Sequence, residues 1–406
     1  MTTIRERAWT LQQLEASGLR GRGGGWFPTH KKWRAVLAED GVPFVVANGG
    51  ESEPGSIKDR LVMRTRADEV VRGLKLAIDT LGAERGYLYL KGSFHEEEKR
   101  LNAAIGALGL GELITIHRGD DTYVGGEETA LLESIEGRVA WPRPKPPRPA
   151  AVGLFGRPTL VQNVDTLARV AQAARLGSQF PASETITLSV WGDVSKPGAY
   201  EVPFGRTLRS VIDGEAGGAA SDIGLVFPNG AQSPPLLSSA LEVRLTPDDL
   251  GAAGSSLGLA SILVLNASTD PVSILRAIAR FFERESCAQC PPCILGAANL
   301  RSLIEGDRQH STNRLTPQAA IRETAWFMSM HGYCGHARAG ASAVTGLFER
   351  WQGPVLERIR TGALPTGAVE RDPFAPASEE RRALDAFLEG VSPPGASVAI
   401  AARPRG

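Results

Sequence analysis

The stretch VPFVVANGGESEPGSIKDR, residues 42–60, decides how the first half of the chain is read. PFVVAN is a short apolar run bounded by polar residues, which reads as a buried strand. It runs straight into a polar loop holding Glu51, Ser52 and Glu53. In doubly wound α/β sheets ligands bind beyond the carboxyl ends of the strands, so a ligand is expected at this loop. Outward from it the pattern alternates. DEVVRGLKLAIDTLG (68–82) and HEEEKRLNAAIGALG (95–109) have helical periodicity, while RGYLYLKG (85–92) and ELITIHRG (112–119) read as strands. The alternation predicts a parallel sheet with covering helices. Glu96, Glu97 and Glu98 are expected on a solvated helix face.

The 406 residues leave room for roughly two to four domains. Lys plus Arg and Asp plus Glu number 45 each, and a formal charge of zero argues against a general nucleic-acid binder. No apolar run approaches the ~18–20 residues of a membrane span. The opening MTTIRERAWTLQQLEASG lacks the apolar core of a signal peptide and reads as an amphipathic helix, so a cytoplasmic protein is expected.

Two further glycine-rich loops flank this frame. SGLRGRGGGWFPTHKKW (17–33) interleaves Gly21, Gly23, Gly24 and Gly25 with Arg20 and Arg22. Such a loop can offer backbone N–H groups and positive charge to a phosphate, although glycine-rich loops also serve as plain turns. DTYVGGEETALLESIEG (121–137) sets Gly125 and Gly126 before Glu127, Glu128 and Thr129 at the start of an apolar-periodic helix. Either these acids complement the helix dipole, or they face a ligand at its amino end. WPRPKPPRP (141–149) fits a polyproline linker or a loop covering a cofactor.

The four cysteines are Cys287, Cys290 and Cys293 in ESCAQCPPC, and Cys334 in MHGYCGH. A chain of this length with so few is no disulfide scaffold. C-x2-C-x2-C puts three sulfurs around one turn, which suits three corners of a [4Fe–4S] cube with a fourth thiolate from elsewhere. Structural zinc more often takes two separated pairs. The segments at 270–286, 294–306, 317–330 and 339–360 are helical patterns, so the ligands are expected at helix ends in a small bundle.

Together these motifs resemble the NADH-binding flavoprotein subunit of respiratory complex I, the 51 kDa-type, and the diaphorase subunits of NAD-linked hydrogenases and formate dehydrogenases. The likeness runs from about Ser17 to Arg350 and rests on SGLRGRGGGWFPT, ESEPGSIKDR, TYVGGEETALLESIEG, PRPKPPRPAAVGLFGRPTLVQNVDTLA and ESCAQCPPC with Cys334. It implies an α/β chain with a Rossmann-like FMN/NADH domain (1–183), a small β-grasp (SLBB-type) domain (184–267), an all-α bundle with a [4Fe–4S] cluster (268–361) and a tail (362–406).

Carried over by residue, the likeness implies that Gly21, Arg22, Gly23 and Gly24 line the flavin and dinucleotide loop. Lys32 and Asn48 fall on FMN-contacting or cofactor-adjacent positions, and Asn163 matches a flavin-contacting asparagine. Glu51, Ser52 and Glu53, with Tyr123, Gly126, Glu127 and Glu128, form the rest of the pocket. Phe27 and Lys145 match dinucleotide contacts. Glu53 and Glu128 are expected to position nicotinamide and ribose groups rather than to transfer protons. The implied cofactors are FMN and a [4Fe–4S] cluster, with NADH as substrate. Implied partners are a thioredoxin-like [2Fe–2S] subunit or another iron–sulfur protein in a multi-subunit redox complex, cytoplasmic or on the cytoplasmic side of a membrane complex.

Three replacements, covering four positions, depart from the family pattern. Gly25 and Trp26 replace Ala-Gly, Gly50 replaces an aspartate, and Arg148 stands where an aromatic residue packs near the adenine. An indole beside the flavin would stack on it or block it. The departures keep open a relay subunit that holds the cluster without oxidising NADH, and a flavoprotein reduced by a partner such as ferredoxin.

Overall fold

Alternating apolar strands and amphipathic helices build the first half of the chain. The structure is a computed structural model and describes residues 4–181, 184–306, 315–362 and 367–391. In chain order the first elements are α1 (Ile4–Ala16), α2 (Thr29–Leu37), β1 (Phe44–Asn48), α3 (Lys58–Thr65), α4 (Ala67–Leu81) and β2 (Gly86–Lys91). They are followed by α5 (His95–Ala107), β3 (Ile114–Gly119), α6 (Ala130–Ile135), β4 (Thr159–Asn163) and α7 (Val164–Leu176). The strands form one parallel sheet in the order β3-β2-β1-β4. The chain starts at β1, proceeds outward to β3, then returns to place β4 on the other side of β1. That reversal opens a crevice at the carboxyl ends of β1 and β4, where ligands bind in this architecture. Asn48 and Asn163, the last residues of the two strands, are register partners there. Gly73 permits the helix packing behind the sheet: a Cβ on it would lie 1.9 Å from the Leu167 carbonyl oxygen on α7.

A second sheet follows, made of β5 (Thr185–Gly192), β6 (Gly198–Pro203), β7 (Ile223–Phe227), β8 (Leu236–Leu237) and β9 (Ser261–Asn266), with α8 (Leu208–Asp213) and α9 (Pro247–Ala252) between strands. Its order is β6-β5-β9-β7-β8, with β5 and β9 parallel and the other pairs antiparallel. The remainder is helical: α10 (Pro271–Arg284), α11 (Ala298–Glu305), α12 (Pro317–His331), α13 (Gly335–Arg350), α14 (Gln352–Thr361) and α15 (Glu379–Glu389). α10 starts cleanly because Asp270 accepts from the N–H groups of Val272 and Ser273 and Pro271 occupies the first helical position.

The structure corrects one expectation and adds one element. Glu97 is not solvated. It is fully buried, and Arg60 and Arg64, one turn apart on α3, both bind its Oε1, at 2.9 and 2.7 Å. The segment from 362 onward, to which the sequence assigned no element, carries α15.

Charge is also buried between the two sheets. Asp165 and Arg169, both on α7 and both wholly buried, pair at 3.0 Å. Arg169 donates to the hydroxyls of Thr185 and Thr187 on β5, at 2.8 and 3.0 Å. Burial pushes the Asp165 carboxyl up, but Arg169, Lys58, Arg66 and Arg22 outweigh it and hold it below the usual carboxylate range. Removing one member of such a pair leaves the other charged and unpaired in the interior. We therefore expect Arg169→Met to destabilise the protein by about 3–5 kcal/mol in urea unfolding. Adding Asp165→Asn to it should recover part of that loss, which would separate charge from packing.

Candidate functional site

Three backbone loops with little side-chain bulk meet at the crevice. The loop after β1 touches the loop before α6, since a Cβ on Gly126 would lie 2.3 Å from the Gly50 carbonyl oxygen. Asn48 joins them: its amide donates to the Gly126 carbonyl at 2.9 Å and its oxygen accepts from Gly50 N at 3.0 Å. Ser52 donates to the Gly50 carbonyl at 3.1 Å. The third loop is Gly21–Gly24, where a Cβ on Gly23 would come within 3.1 Å of the Asn163 side chain. Asn163 caps α7, accepting from Asp165 N and Thr166 N, and donates to Asp59 at 2.8 Å. Arg22 N donates to the Thr166 hydroxyl at 2.8 Å, which pins the glycine loop to the first turn of α7.

Four of the expected residues converge in one charge network. Lys145 binds Glu127 at 2.6 Å and Glu128 at 3.1 Å, and Lys32 binds the other oxygen of Glu128 at 3.4 Å. Burial pushes Glu128 up, but Lys32 and Lys145 together leave it lowered, so it is ionised at neutral pH. The network also settles the proline-rich segment. Arg143 N donates to Thr129, and its guanidinium binds Glu133 and Glu136, so residues 143–145 lie against α6 rather than spanning open solvent as a linker. Phe27 is half-exposed at the rim, and Arg148 is exposed.

Other expected residues face inward. Glu51 accepts from Ser56, Asp59 N and Arg60 N, and so organises its own loop. The Arg22 side chain is buried, paired with Glu184 and stacked over Trp26 and Phe204 at 4.3 and 5.2 Å. Burial, then Arg169, lowers its pKa to about 10. Glu53 is buried and committed to protein partners. It accepts from Tyr123 Oη at 3.0 Å, from Ala231 N at 3.1 Å and from the Gln232 amide. It thus joins the loop after β1 to the turn after β7. Burial raises its pKa to about 7.

The indole of Trp26 does not stand beside the crevice. It is buried among Ile186, Val202, Leu257 and other core residues of the second sheet, and its Nε1 donates to the Gly258 carbonyl at 2.7 Å. Trp26 has φ 49°, a left-handed conformation that favours glycine. Burial of the indole offsets that strain. Gly50 also has a physical reason: a Cβ there would lie 2.8 Å from the ring of Tyr89, which is buried on β2. The tyrosine occupies the space next to the missing carboxylate.

Tyr123 leads from this crevice to the cysteines. Its ring meets Phe281 at 5.2 Å and His336 at 5.3 Å, and His336 lies two residues past Cys334. Cys290 and Cys293 open the helical turn Pro292–Ala297 that leads into α11, with the Cys290 carbonyl accepting from Cys293 N and Ile294 N at 3.1 Å. Cys287 precedes Ala288, which is left-handed at φ 53°. Cys334 is the first residue flanking α13, where the helix dipole favours a thiolate. Burial, then Cys290, pushes Cys293 up to about 12, and burial, Glu127 and the other thiols raise Cys334 to about 11. Among the described residues no three such side chains are drawn in to metal-ligand spacing. Neutral thiols gather and ionise when a metal binds them. Three closely spaced thiols and a fourth from the start of α13 match the donor set that a [4Fe–4S] cluster needs.

Tyr89, Asp59, Gln232 and His336 were not singled out in the sequence. Asp59 sits beside Glu51 in a motif, which was a usable signal. Gln232 and His336 act through tertiary contacts that leave no local mark.

A family model described as the Nuo51 FMN-binding domain matches residues 14–172, and one described as the NADH-ubiquinone oxidoreductase-F iron–sulfur binding region matches residues 273–358. The chain is 39% identical to an F-type NADH-quinone oxidoreductase subunit of Rhizobium meliloti over 308 residues, 70% of this chain and 73% of the relative. It is 34% identical to the F-type NADH-quinone oxidoreductase subunit of Rickettsia bellii, over 87% of this chain and 91% of the relative. It superposes on an NAD+-reducing [NiFe]-hydrogenase chain in the H2-reduced state with a TM-score of 0.78 and 28% identity, covering 90% of this chain and 68% of that one.

Glu53 makes stability depend on pH. Its folded pKa, about 7, lies above the ordinary value of 4.5, so the fold prefers the neutral acid. Stability is then full below about pH 4.5 and falls as pH rises toward 7, by on the order of 3 kcal/mol for a shift of this size. Asp59, also raised to about 7 and chiefly by burial, contributes with the same sign. Glu53→Gln should flatten part of this slope in urea unfolding at pH 5 and pH 8. An unchanged slope would assign all of it to other groups.

Proposed function

Because the chain belongs to the family of F-type NADH-quinone oxidoreductase subunits, we propose that it takes hydride from NADH onto FMN at the crevice and passes electrons singly, through a [4Fe–4S] cluster on Cys287, Cys290, Cys293 and Cys334, to a separate iron–sulfur protein. The observation that carries this reading is the continuity of the two sites, with Tyr123 bonded to Glu53 at the crevice and packed on His336 beside the cysteines. When bound, FMN accepts a hydride and returns electrons one at a time.

The chain's own part is to bind and orient. Gly21, Gly23, Gly24, Gly50 and Gly126 keep side-chain bulk away from the carboxyl ends of β1 and β4, where Asn48 and Asn163 stand, and so leave room for a flat ring and a phosphate. Lys32 and Lys145 hold Glu128 ionised at the rim, where it can accept from ribose hydroxyls. No side chain has to move a proton in hydride transfer. Each NADH yields two electrons and one proton, so two single-electron acceptors are consumed per turnover. The chain has no cysteine beyond the four, so a second cluster must lie on a partner. A thioredoxin-like [2Fe–2S] subunit or another iron–sulfur protein has the required chemistry. The same reading sets the chain in a multi-subunit redox complex on the cytoplasmic side. No described helix is long and apolar enough to cross a membrane. The reading as a relay that no longer oxidises NADH loses its steric support, because Trp26 is held in the second sheet.

The test is anaerobic flavin bleaching by NADH and by NADPH. We expect NADH to be faster. Glu128→Ala should narrow the preference, since it removes a charge that repels a 2′-phosphate and frees Lys32, which attracts one. Arg148→Phe should widen it. Faster bleaching of the wild type by NADPH would overturn the assignment. In a separate measurement, Cys334→Ala should lose iron, about four atoms per chain, and unfold the bundle more readily. Zinc in place of iron after anaerobic purification would refute the cluster.

A further inference from the structure

Residues 367–391 lie outside both matched family regions, yet they contact α3, the second sheet and α10. Val369 pairs with Thr269 at the junction of β9 and α10, accepting from Asp270 N and donating to the Ser268 carbonyl, each at 2.9 Å. Arg371 N donates to Ser273 on α10 at 3.1 Å, and its guanidinium binds Asp193, just past β5, and Glu380 of α15. Phe374 is fully buried between Trp191 of β5, at 6.1 Å, and Phe281 of α10, at 6.2 Å. Farther on, Phe387 fills the space over Gly198, where a Cβ would lie 2.7 Å from its ring. The Leu388 carbonyl accepts from Arg64 of α3, and Asp385 lies 3.6 Å from Arg60. One segment thus ties the bundle to the second sheet and to the flavin-side helix α3.

What it holds is α10, the helix that leads into the cysteine segment. Phe281 touches Phe374 on one side and Tyr123 on the other. Tyr123 contacts Glu53 at the crevice and His336 beside Cys334. A shift of α10 moves Tyr123 and His336 relative to each other. Electron transfer between centres falls steeply with distance, so the fit of this helix matters more for that step than for hydride transfer at the crevice.

We propose that residues 369–391 are a clasp that sets the separation between the flavin crevice and the cysteine site, with Phe374 as a positioning residue acting through Phe281 on Tyr123. The proposal rests on the reading that both centres occupy these sites.

The test uses the full chain with its cofactors and compares wild type, Phe374→Ala and Phe374→Leu. After rapid mixing with NADH, flavin bleaching is followed optically and cluster reduction by freeze-quench EPR. Hydrogen–deuterium exchange is measured on peptides covering 121–128 and 271–284. We expect Phe374→Ala to retain FMN and iron and to bleach within about twofold of wild type. Its cluster reduction should slow by about tenfold or more, as expected for a misplacement on the ångström scale, and exchange should rise in both peptides. Phe374→Leu should show a smaller change of the same sign in both. If the alanine variant loses iron, the leucine variant decides: slower cluster reduction with faster exchange supports the clasp. Cluster reduction at the wild-type rate in every variant that holds both centres, or unchanged exchange, would overturn it. A wild type that NADH does not bleach would instead defeat the parent reading, and the exchange comparison alone would then decide the clasp.

Discussion

Asp165 and Arg169 cannot be satisfied by water, because α7 buries both completely. Their further partners have to come from protein: Asp165 lies 3.6 Å from Arg66 at the end of α3, while Arg169 turns to the second sheet, where Thr185 and Thr187 accept from its guanidinium. Glu201 on β6 adds a further acidic partner at 3.6 Å. The same α7 is capped by Asn163 at the crevice. A buried ionic pair contributes little net stability when complete, because desolvation offsets attraction, but it penalises any arrangement that breaks it. The pair therefore acts as a register device. It permits one docking of the second sheet on the first, and that docking delivers Ala231 and Gln232 to Glu53.

Trp26 shows how the same docking absorbs a sequence departure. At a left-handed position a bulky side chain costs on the order of 1–2 kcal/mol against glycine. The indole recovers this by burial in the second sheet and by its hydrogen bond to Gly258. It also forms one wall for the Arg22 guanidinium, with Phe204 the other. The glycine loop is then fastened from below, through Arg22 and Trp26, while Gly23 stays exposed. A residue that looks like an obstacle in sequence works as an anchor in space.

This marks where sequence could be read and where it could not. Strands β1, β2 and β3 and helices α4 and α5 follow from apolar periodicity, because each is decided by residues within one element. β4 did not show that way, since its residues lie in a stretch dense with Pro, Gly and Arg. The cysteine spacing pointed to its chemistry because three ligands share one turn. Directions of side chains were hidden. Glu53 and Glu51 belong to one tripeptide motif, yet one reaches into another sheet and the other folds back on its own loop. Glu97 reads like its neighbours Glu96 and Glu98 until α3 sets two arginines over it. In each case the deciding partner is remote in sequence.

The path between the two sites has the opposite character from the sheet interface. Around Tyr123 the neighbours are aromatic: Phe281, then Phe282 at 5.1 Å from Phe281, and His336 at 4.9 Å from Phe282. Burial lowers the pKa of His336, so the imidazole stays neutral among them, with its Nε2 2.9 Å from the Phe282 carbonyl. A region packed with rings reorganises little when an electron crosses it, since few dipoles must turn. Charge gathers instead at the seam between the sheets and at the rim of the crevice. Rings fill the space between the crevice and the cysteines. The two demands, rigid registration and a quiet medium, are met by different residues on the two sides of Glu53, whose single carboxylate touches both through Gln232 and Tyr123.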